Sequence, residues 1–262
     1  MILKAQLLKN KQRQHCLWLL EFIRLSVPLV KNIQQHRAMS LVYLNGDKSM
    51  QSKVLTKQGH VDSAVLAFSQ LYQSKNTPSQ FAESEHLINS WKQLKSSVFQ
   101  LQPASSFSQH AQLVTEILLN IEKTCHSKGL KASLDFSDAL FLALTKSVPL
   151  LTEVLGQSRG IGMVIASQGG GSISNHVKIK HLYQQCQTIV SETLDVLVAE
   201  EGAEYLRCRE TIDQFLIFLK AEILEKEQIE VKPDDYFQQA TEAIDQTFWL
   251  IDVLIRQAKR SL

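Results

Sequence analysis

The sequence predicts an all-α protein of eight helices, arranged as two consecutive up-and-down four-helix bundles that are related by a weak internal repeat. Gly and Pro are scarce, at 10 and 5 of 262 residues, and hydrophobic residues make up 44% of the chain. Apolar residues recur at helical spacing through eight runs, and the short loops between them place consecutive helices antiparallel. The predicted domains are a first bundle at 1–130 and a second at 131–262.

The first half of the sequence predicts four helices, and capping residues, glycines and prolines mark their ends. Pro28 falls inside the first helix and should kink or split it. The Asn45-Gly46 dipeptide should end that helix. The predicted bounds, in order, are Leu3 to Leu44, Asp47 or Ser49 to Gln73, Pro78 after the cap Thr77 to about Phe99, and from the break at Pro103-Ala104-Ser105-Ser106 to about Gly129.

The second half repeats this plan with four more helices. Pro149 should kink the fifth helix at nearly the place where Pro28 falls in the first. Gly202 is a weak breaker, so the sequence leaves open whether the sixth and seventh helices are continuous. The predicted signals, in order, are Ser133 or Asp135 as the opening cap of the fifth helix, Gly169–Ser172 as its end, and Lys232-Pro233-Asp234-Asp235 as the break before the last helix.

The internal repeat relates residues 33–42 to residues 155–164, at an offset of 122 positions. Arg37 aligns with Arg159, and in each copy this lone arginine stands where helical periodicity expects an apolar residue. The small residues that follow the arginines also align, and these are Ala38 and Ser40 in the first copy, Gly160 and Gly162 in the second.

Both arginines therefore fall on the inward face of their helices, and a buried cation needs a neutralising partner because an unpaired one costs several kcal/mol. The positions three and four residues from Arg37 and from Arg159 hold no carboxylate. Two solutions are open: a carboxylate from another helix, or a small anion between the arginines. Guanidinium is planar, and its forked donors match flat oxyanions. The glycines around Arg159 would let a helix or a ligand approach closely.

These motifs resemble the nitrate- and nitrite-sensing domain, called the NIT domain. The resemblance rests on Leu155-Gly156-Gln157-Ser158-Arg159-Gly160 and on the earlier segment 34–40, and it covers about residues 15–255. It implies an all-helical sensor domain of two four-helix bundles whose characteristic arginines bind nitrate or nitrite. The first copy departs from the family pattern at His36, where an acidic residue is common, and at Ala38, where glycine is usual.

The family also carries a third arginine in a late helix, in a Leu-Arg context. Leu206-Arg207-Cys208-Arg209 is the matching segment here. Arg207 fits because it follows the leucine, and Arg209 fits because it lies on the apolar helical stripe, so both are carried as ligand-binding candidates. The resemblance implies a protein partner that carries the output, because no output module is visible in the sequence. A homodimer is left open.

Composition excludes several classes of function. The net charge is +2 on 28 basic and 26 acidic residues, so no nucleic-acid-binding face is expected. The four cysteines form no Cys-x-x-Cys pair and show no metal-ligand spacing with histidine, which predicts reduced thiols, no metal or cofactor, and a cytoplasmic location. No run approaches about 18 uninterrupted apolar residues, so no membrane span is expected.

Two hypotheses follow. The first is a non-enzymatic cytoplasmic sensor in which Arg37 and Arg159 clamp nitrate or nitrite across the two bundles and a partner reads the change. The second is a ligand-free helical interaction scaffold whose arginines are held by carboxylates. No nucleophile–base–acid constellation is apparent, so no catalytic residue is predicted. His36 is expected to be exposed or hydrogen-bonded rather than a ligand contact, and Trp18, Trp91 and Trp249 are expected in the core.

Overall fold

The computed structural model describes residues 2–73, 78–127, 130–131, 134 and 136–262. Helix accounts for 90% of the structure, and no strand occurs among the residues just given. The all-α prediction is therefore confirmed. The isolated apolar stretch at 229–231 lies in a connection between two helices.

The described residues form eight long helices. Three of them contain a five-residue π-helical segment, at Ala143–Ser147, Val190–Leu194 and Lys220–Leu224. The helices are α1 Ile2–Leu44, α2 Gln51–Gln73, α3 Pro78–Ser97, α4 Pro103–Ser127, α5 Asp138–Ser167, α6 at 173–201, α7 at 206–224 and α8 Pro233–Arg260. Short 3-10 turns lie at Lys48–Met50, Val98–Gln100 and Ala203–Tyr205.

Unit 1 is a compact body made of Met1–Asp135 together with Gln257–Leu262. Within it α1 packs against α2 and α4, and α3 packs against α2 and α4. An aromatic cluster fills one part of its core, where the Trp18 and Phe22 rings stack at 5.8 Å and the Phe68 ring lies 5.5 Å from Phe22. Tyr72 completes the cluster edge-on.

Unit 2 is a second compact body that spans Phe136–Arg256. Here α5 packs against α6, and α6 packs against α7. Nearly every residue of α5 from Val148 to Gly162 is buried, so this stretch lies in the protein interior. The presence of two units is compatible with the predicted pair of bundles, although residues 257–262 group with unit 1.

The two internal prolines do not split their helices. Pro28 lies on an exposed side of α1, so the carbonyl that loses its amide partner there can be solvated, and the helix continues to Leu44. Pro149 lies just after the π-helical segment of α5, where the wider turn accommodates the missing N–H.

Glycine and cap signals set most of the other boundaries. Gly46 has φ 119°, which confirms the predicted end of α1, and Gly202 has φ 114°, which separates α6 from α7 and settles the question left open by the sequence. Pro103 begins α4 and Pro233 begins α8, so the breaks predicted at Pro103–Ser106 and Lys232–Asp235 are instead mostly the first turns of helices. Ser137 caps α5 by accepting a hydrogen bond from the Leu140 amide at 3.2 Å. The predicted boundary residues Thr77, Gly129, Ser133 and Asp135 lie outside the described residues.

Tryptophan placement confirms two predictions and overturns one. Trp18 and Trp91 are buried in unit 1. Trp249 is 40% exposed on α8, so its assignment to the core is wrong. Its apolar neighbours Phe248 and Leu250 are buried instead, and Trp249 falls one position off the inward stripe.

The helix α5 is long and apolar enough to cross a membrane by length and composition, with a mean hydropathy of 1.4 in its most apolar window. In this structure 72% of that window is buried inside the protein. The central helix of a soluble domain has the same properties, because it is surrounded by apolar neighbours on most sides.

Candidate functional site

Arg37 lies near the C-terminal end of α1, on the face that packs inward. Its side chain is 2% exposed. The guanidinium carbon lies over the Phe107 ring, 5.0 Å from the ring centre. Phe107 is the fifth residue of α4, so the packing of α4 on α1 brings an aromatic face onto the buried cation.

Arg159 occupies the equivalent place on α5 and is 4% exposed. Its guanidinium carbon lies 5.2 Å from the centre of the Phe237 ring. Its Nη1 donates a hydrogen bond to Oγ1 of Thr241 at 3.1 Å. Phe237 and Thr241 are one turn apart on α8, so one helix supplies both contacts.

Gly162 leaves room on α5 for the Tyr236 side chain of α8. The Tyr236 hydroxyl donates a hydrogen bond to the Ser158 carbonyl at 2.9 Å. A Cβ atom on Gly162 would lie 2.1 Å from the Tyr236 ring, so the absence of a side chain makes this contact geometrically feasible. Burial raises the pKa of the Tyr236 phenol, which therefore stays a hydrogen-bond donor.

A buried histidine pair lies beside Arg37. The His110 Nδ1–H donates to the Ser106 carbonyl at 2.6 Å, so its Nε2 carries a lone pair that accepts from His36 Nδ1–H at 2.7 Å. Burial lowers the pKa of His36 to about 4, against the opposing pull of Asp62, and holds the pKa of His110 well below its ordinary range. Both rings are neutral at pH 7, and His36 is a hydrogen-bonded residue as the sequence suggests.

A polar cluster of α2 and α3 flanks this pair. The His36 ring meets the Trp91 ring edge-on at 5.1 Å. The Trp91 Nε1–H donates to Asp62 at 2.9 Å, and Lys95 Nζ pairs with the other oxygen of Asp62 at 2.6 Å. The neighbourhood of Arg37 in unit 1 is therefore held by hydrogen bonds from three helices.

The third-arginine candidates have different environments. Arg209 is 33% exposed, donates from Nε to Asp195 at 2.8 Å, and pairs with Asp213 one turn further along α7. It lines an open cleft of about 810 Å3 in unit 2. Arg207 is exposed. Neither lies in a buried, aromatic-covered position like those of Arg37 and Arg159.

Sequence reasoning missed the two phenylalanines. The signal was present, because each ends a Pro-x-x-x-Phe segment that opens the last helix of its unit, at Pro103–Phe107 and Pro233–Phe237, with an offset of 130 positions. It also missed the carboxylate of Glu153, which is buried in α5 and accepts a hydrogen bond from Gln157 Nε2 at 2.8 Å.

Metal binding finds no support among the residues whose positions are described, since no group of three or more His, Cys, Asp or Glu side chains could hold an ion there. All four cysteines are buried and none forms a disulfide. Burial raises the pKa of the Cys186 and Cys208 thiols to about 12, which disfavours the reactive thiolate.

Comparison with known proteins agrees with the resemblance based on the arginine motifs. The family model described as nitrate and nitrite sensing matches residues 28–259, a span that contains both arginines and both phenylalanines. No curated protein sequence matches the chain. The fold is similar to the structure of the NasR transcription antiterminator, with a TM-score of 0.70 and 14% sequence identity over 99% of this chain and 72% of that chain. The chain belongs to the nitrate- and nitrite-sensing (NIT) family.

Proposed function

We propose that this protein binds nitrate or nitrite through Arg37 and Arg159, and that a cytoplasmic partner protein reads the resulting change. Family membership supports the ligand class, because the family is described by nitrate and nitrite sensing. All four cysteines are buried and none forms a disulfide, which supports a reducing compartment. The observation that carries the proposal is the pair of buried arginines, one in each unit, each covered by a phenylalanine ring.

The chemistry of guanidinium explains why this ligand class is suited to these residues. The cation is delocalised, always charged and more weakly hydrated than an ammonium, so it tolerates burial better than lysine does. Its N–H groups lie in the plane of the cation and match the oxygens of a flat oxyanion. A bound monovalent anion would therefore accept charge-assisted hydrogen bonds from these groups.

Signalling would follow from differential affinity. An anion that binds one arrangement of the helices more tightly shifts the population toward that arrangement, and a partner that distinguishes the arrangements reads the shift. We propose Arg209 or Arg207 as the third arginine that contributes to anion binding. Because Asp195 and Asp213 already engage Arg209, an anion there would have to displace a carboxylate. We therefore expect Arg209→Ala to weaken nitrate binding less than Arg159→Ala.

Thermal unfolding tests the proposal. Nitrate has four heavy atoms, so a ceiling of about 1.5 kcal/mol per atom gives roughly 6 kcal/mol of binding, or a dissociation constant of tens of micromolar. At about a hundredfold excess over that constant, nitrate should stabilise the folded protein by roughly 2.7 kcal/mol. For a chain of this size that corresponds to a rise in Tm of about 5–10 °C.

Arg37→Lys and Arg159→Lys are the informative variants, because lysine keeps the charge and loses the planar fork. Each should remove most of the nitrate-dependent rise in Tm. Chloride and sulfate at equal ionic strength serve as anion controls. A rise of the same size with those two anions, or an undiminished rise in both variants, would contradict a nitrate or nitrite site at these arginines.

A further inference from the structure

The same three-part arrangement occurs in both units. A proline begins the last helix of the unit, a phenylalanine follows four residues later, and its ring lies against the buried arginine of the unit's first long helix. In unit 1 these residues are Pro103, Phe107 and Arg37. In unit 2 they are Pro233, Phe237 and Arg159. The centre-to-carbon distances, 5.0 Å and 5.2 Å, agree closely.

The proline gives this arrangement a defined geometry. A proline in the first turn of a helix fixes φ near the helical value and removes an amide that would have no partner there. A residue four positions later lies on the same face of the helix, directly below it. The ring is therefore presented from the second turn of α4 or α8, which is a helical position and not a loop.

An aromatic ring restrains the guanidinium without using its donors. The cation is attracted to the face of the ring, whereas the N–H groups point outward in the plane of the cation. In unit 2 the hydroxyl of Thr241 holds the cation at one edge, 3.1 Å from Nη1. The ring and the hydroxyl both restrain the guanidinium of Arg159. The ring face is electron-rich and disfavours an anion, so an anion would approach the guanidinium from its edge.

We propose that Phe107 and Phe237 are positioning residues of the anion site, which orient Arg37 and Arg159 before the anion arrives and set the edge-on direction of its approach. This inference rests on the proposed function. Preorganisation increases affinity because the ordering of a rotamer-rich side chain is completed before binding. Loss of the ring leaves the charge in place but not its orientation.

The first test is nitrate titration by calorimetry on Phe107→Leu, Phe237→Leu and the parent. Leucine keeps an apolar side chain and removes the π face. From the usual strength of desolvated cation–π contacts, each leucine variant should bind nitrate roughly fivefold to thirtyfold more weakly. Phe107→Tyr and Phe237→Tyr retain the ring and should stay within about twofold of the parent, because tyrosine also binds cations through its ring face.

Trp249→Leu is the matched control. Trp249 lies on the same helix as Phe237 and is exposed to almost the same extent, 40% against 41%, so loss of an aromatic side chain there should leave nitrate affinity unchanged. A second readout is independent of the ligand. The Nε–H proton of Arg159 should show a ring-current shift by NMR in the parent and in Phe237→Tyr, and should lose it in Phe237→Leu.

The outcomes separate the two proposals. If the parent binds nitrate and both leucine variants bind it equally well, the positioning role is wrong and the proposed function stands. The positioning role is also wrong if the tyrosine variants lose as much affinity as the leucine variants, since that would indicate loss of packing only. Failure of the parent to bind nitrate overturns both proposals.

Discussion

Replacement of Gly162 by alanine should destabilise unit 2 by about 3 kcal/mol, the sum of overpacking and a lost buried hydrogen bond less a small gain in helix propensity. The new Cβ would lie 2.1–2.3 Å from three atoms of the Tyr236 side chain. The ring cannot easily move aside, because Phe215 and Phe218 pack against it at 5.9 Å and 6.2 Å. Its hydroxyl would also lose the Ser158 carbonyl. Urea unfolding followed by circular dichroism measures the change.

Gly59→Ala is the control for this experiment. Gly59 is also a helical glycine, but a Cβ there meets no atom within 4 Å. Alanine at that position should stabilise the protein by up to about 1 kcal/mol through helix propensity alone. If Gly162→Ala proves as stable as the parent, the placement of the Tyr236 ring against Gly162 would be wrong.

Acid should destabilise unit 1 well above the pH at which carboxylates protonate. His36 and His110 are neutral in the folded protein because burial depresses the pKa of each, that of His36 to about 4 from an ordinary 6.5. Below about pH 6.5 the unfolded chain therefore binds more protons than the folded chain, and the free energy of unfolding falls as the pH falls. For His36 alone the loss should approach about 3 kcal/mol by pH 4, and His110 adds to it in the same direction.

Tryptophan fluorescence in a Trp249→Phe background would follow unit 1 alone, because Trp18 and Trp91 both lie there. The urea midpoint should drop steeply between pH 6.5 and 4.5. His36→Gln should flatten that drop, since the amide can donate to His110 without titrating. Replacement of the exposed His60 on the same unit by glutamine should leave the drop intact. Equal midpoints at pH 7 and pH 4.5 in the parent would show that the pair is not buried and neutral.

The two units share the arginine and the phenylalanine but differ in the residues around them. In unit 2 the neighbouring space is filled by Tyr236 against Ser158 and Gly162. In unit 1 the residue that aligns with Ser158 is His36, and a histidine pair fills the space instead. The arginine and the phenylalanine persist in both. The parts that differ stabilise each unit, and the parts that recur are those we assign to the ligand.

Helical periodicity and breaker residues are sufficient to predict the helices and the burial of both arginines. Both signals are local in the sequence. The observed α1, α5 and the turn at Gly46 agree with the predictions made from them. The phenylalanine contacts could not be predicted in this way, because they depend on which helices pack against each other. The phenylalanines also repeat at an offset of 130 positions, whereas the arginines repeat at 122, so an alignment of the arginine segments does not align the phenylalanines. The prediction that Trp249 lies in the core was wrong because an error of one position along a helix rotates the side chain by about 100°.

The most direct test of the central claim is calorimetric titration of nitrate into the parent protein, Arg37→Lys and Arg159→Lys. The parent should bind nitrate with a dissociation constant of about tens of micromolar, and either single substitution should weaken that binding by about tenfold or more while the circular dichroism spectrum stays helical. Nitrate affinity that is unchanged in both variants would contradict the account.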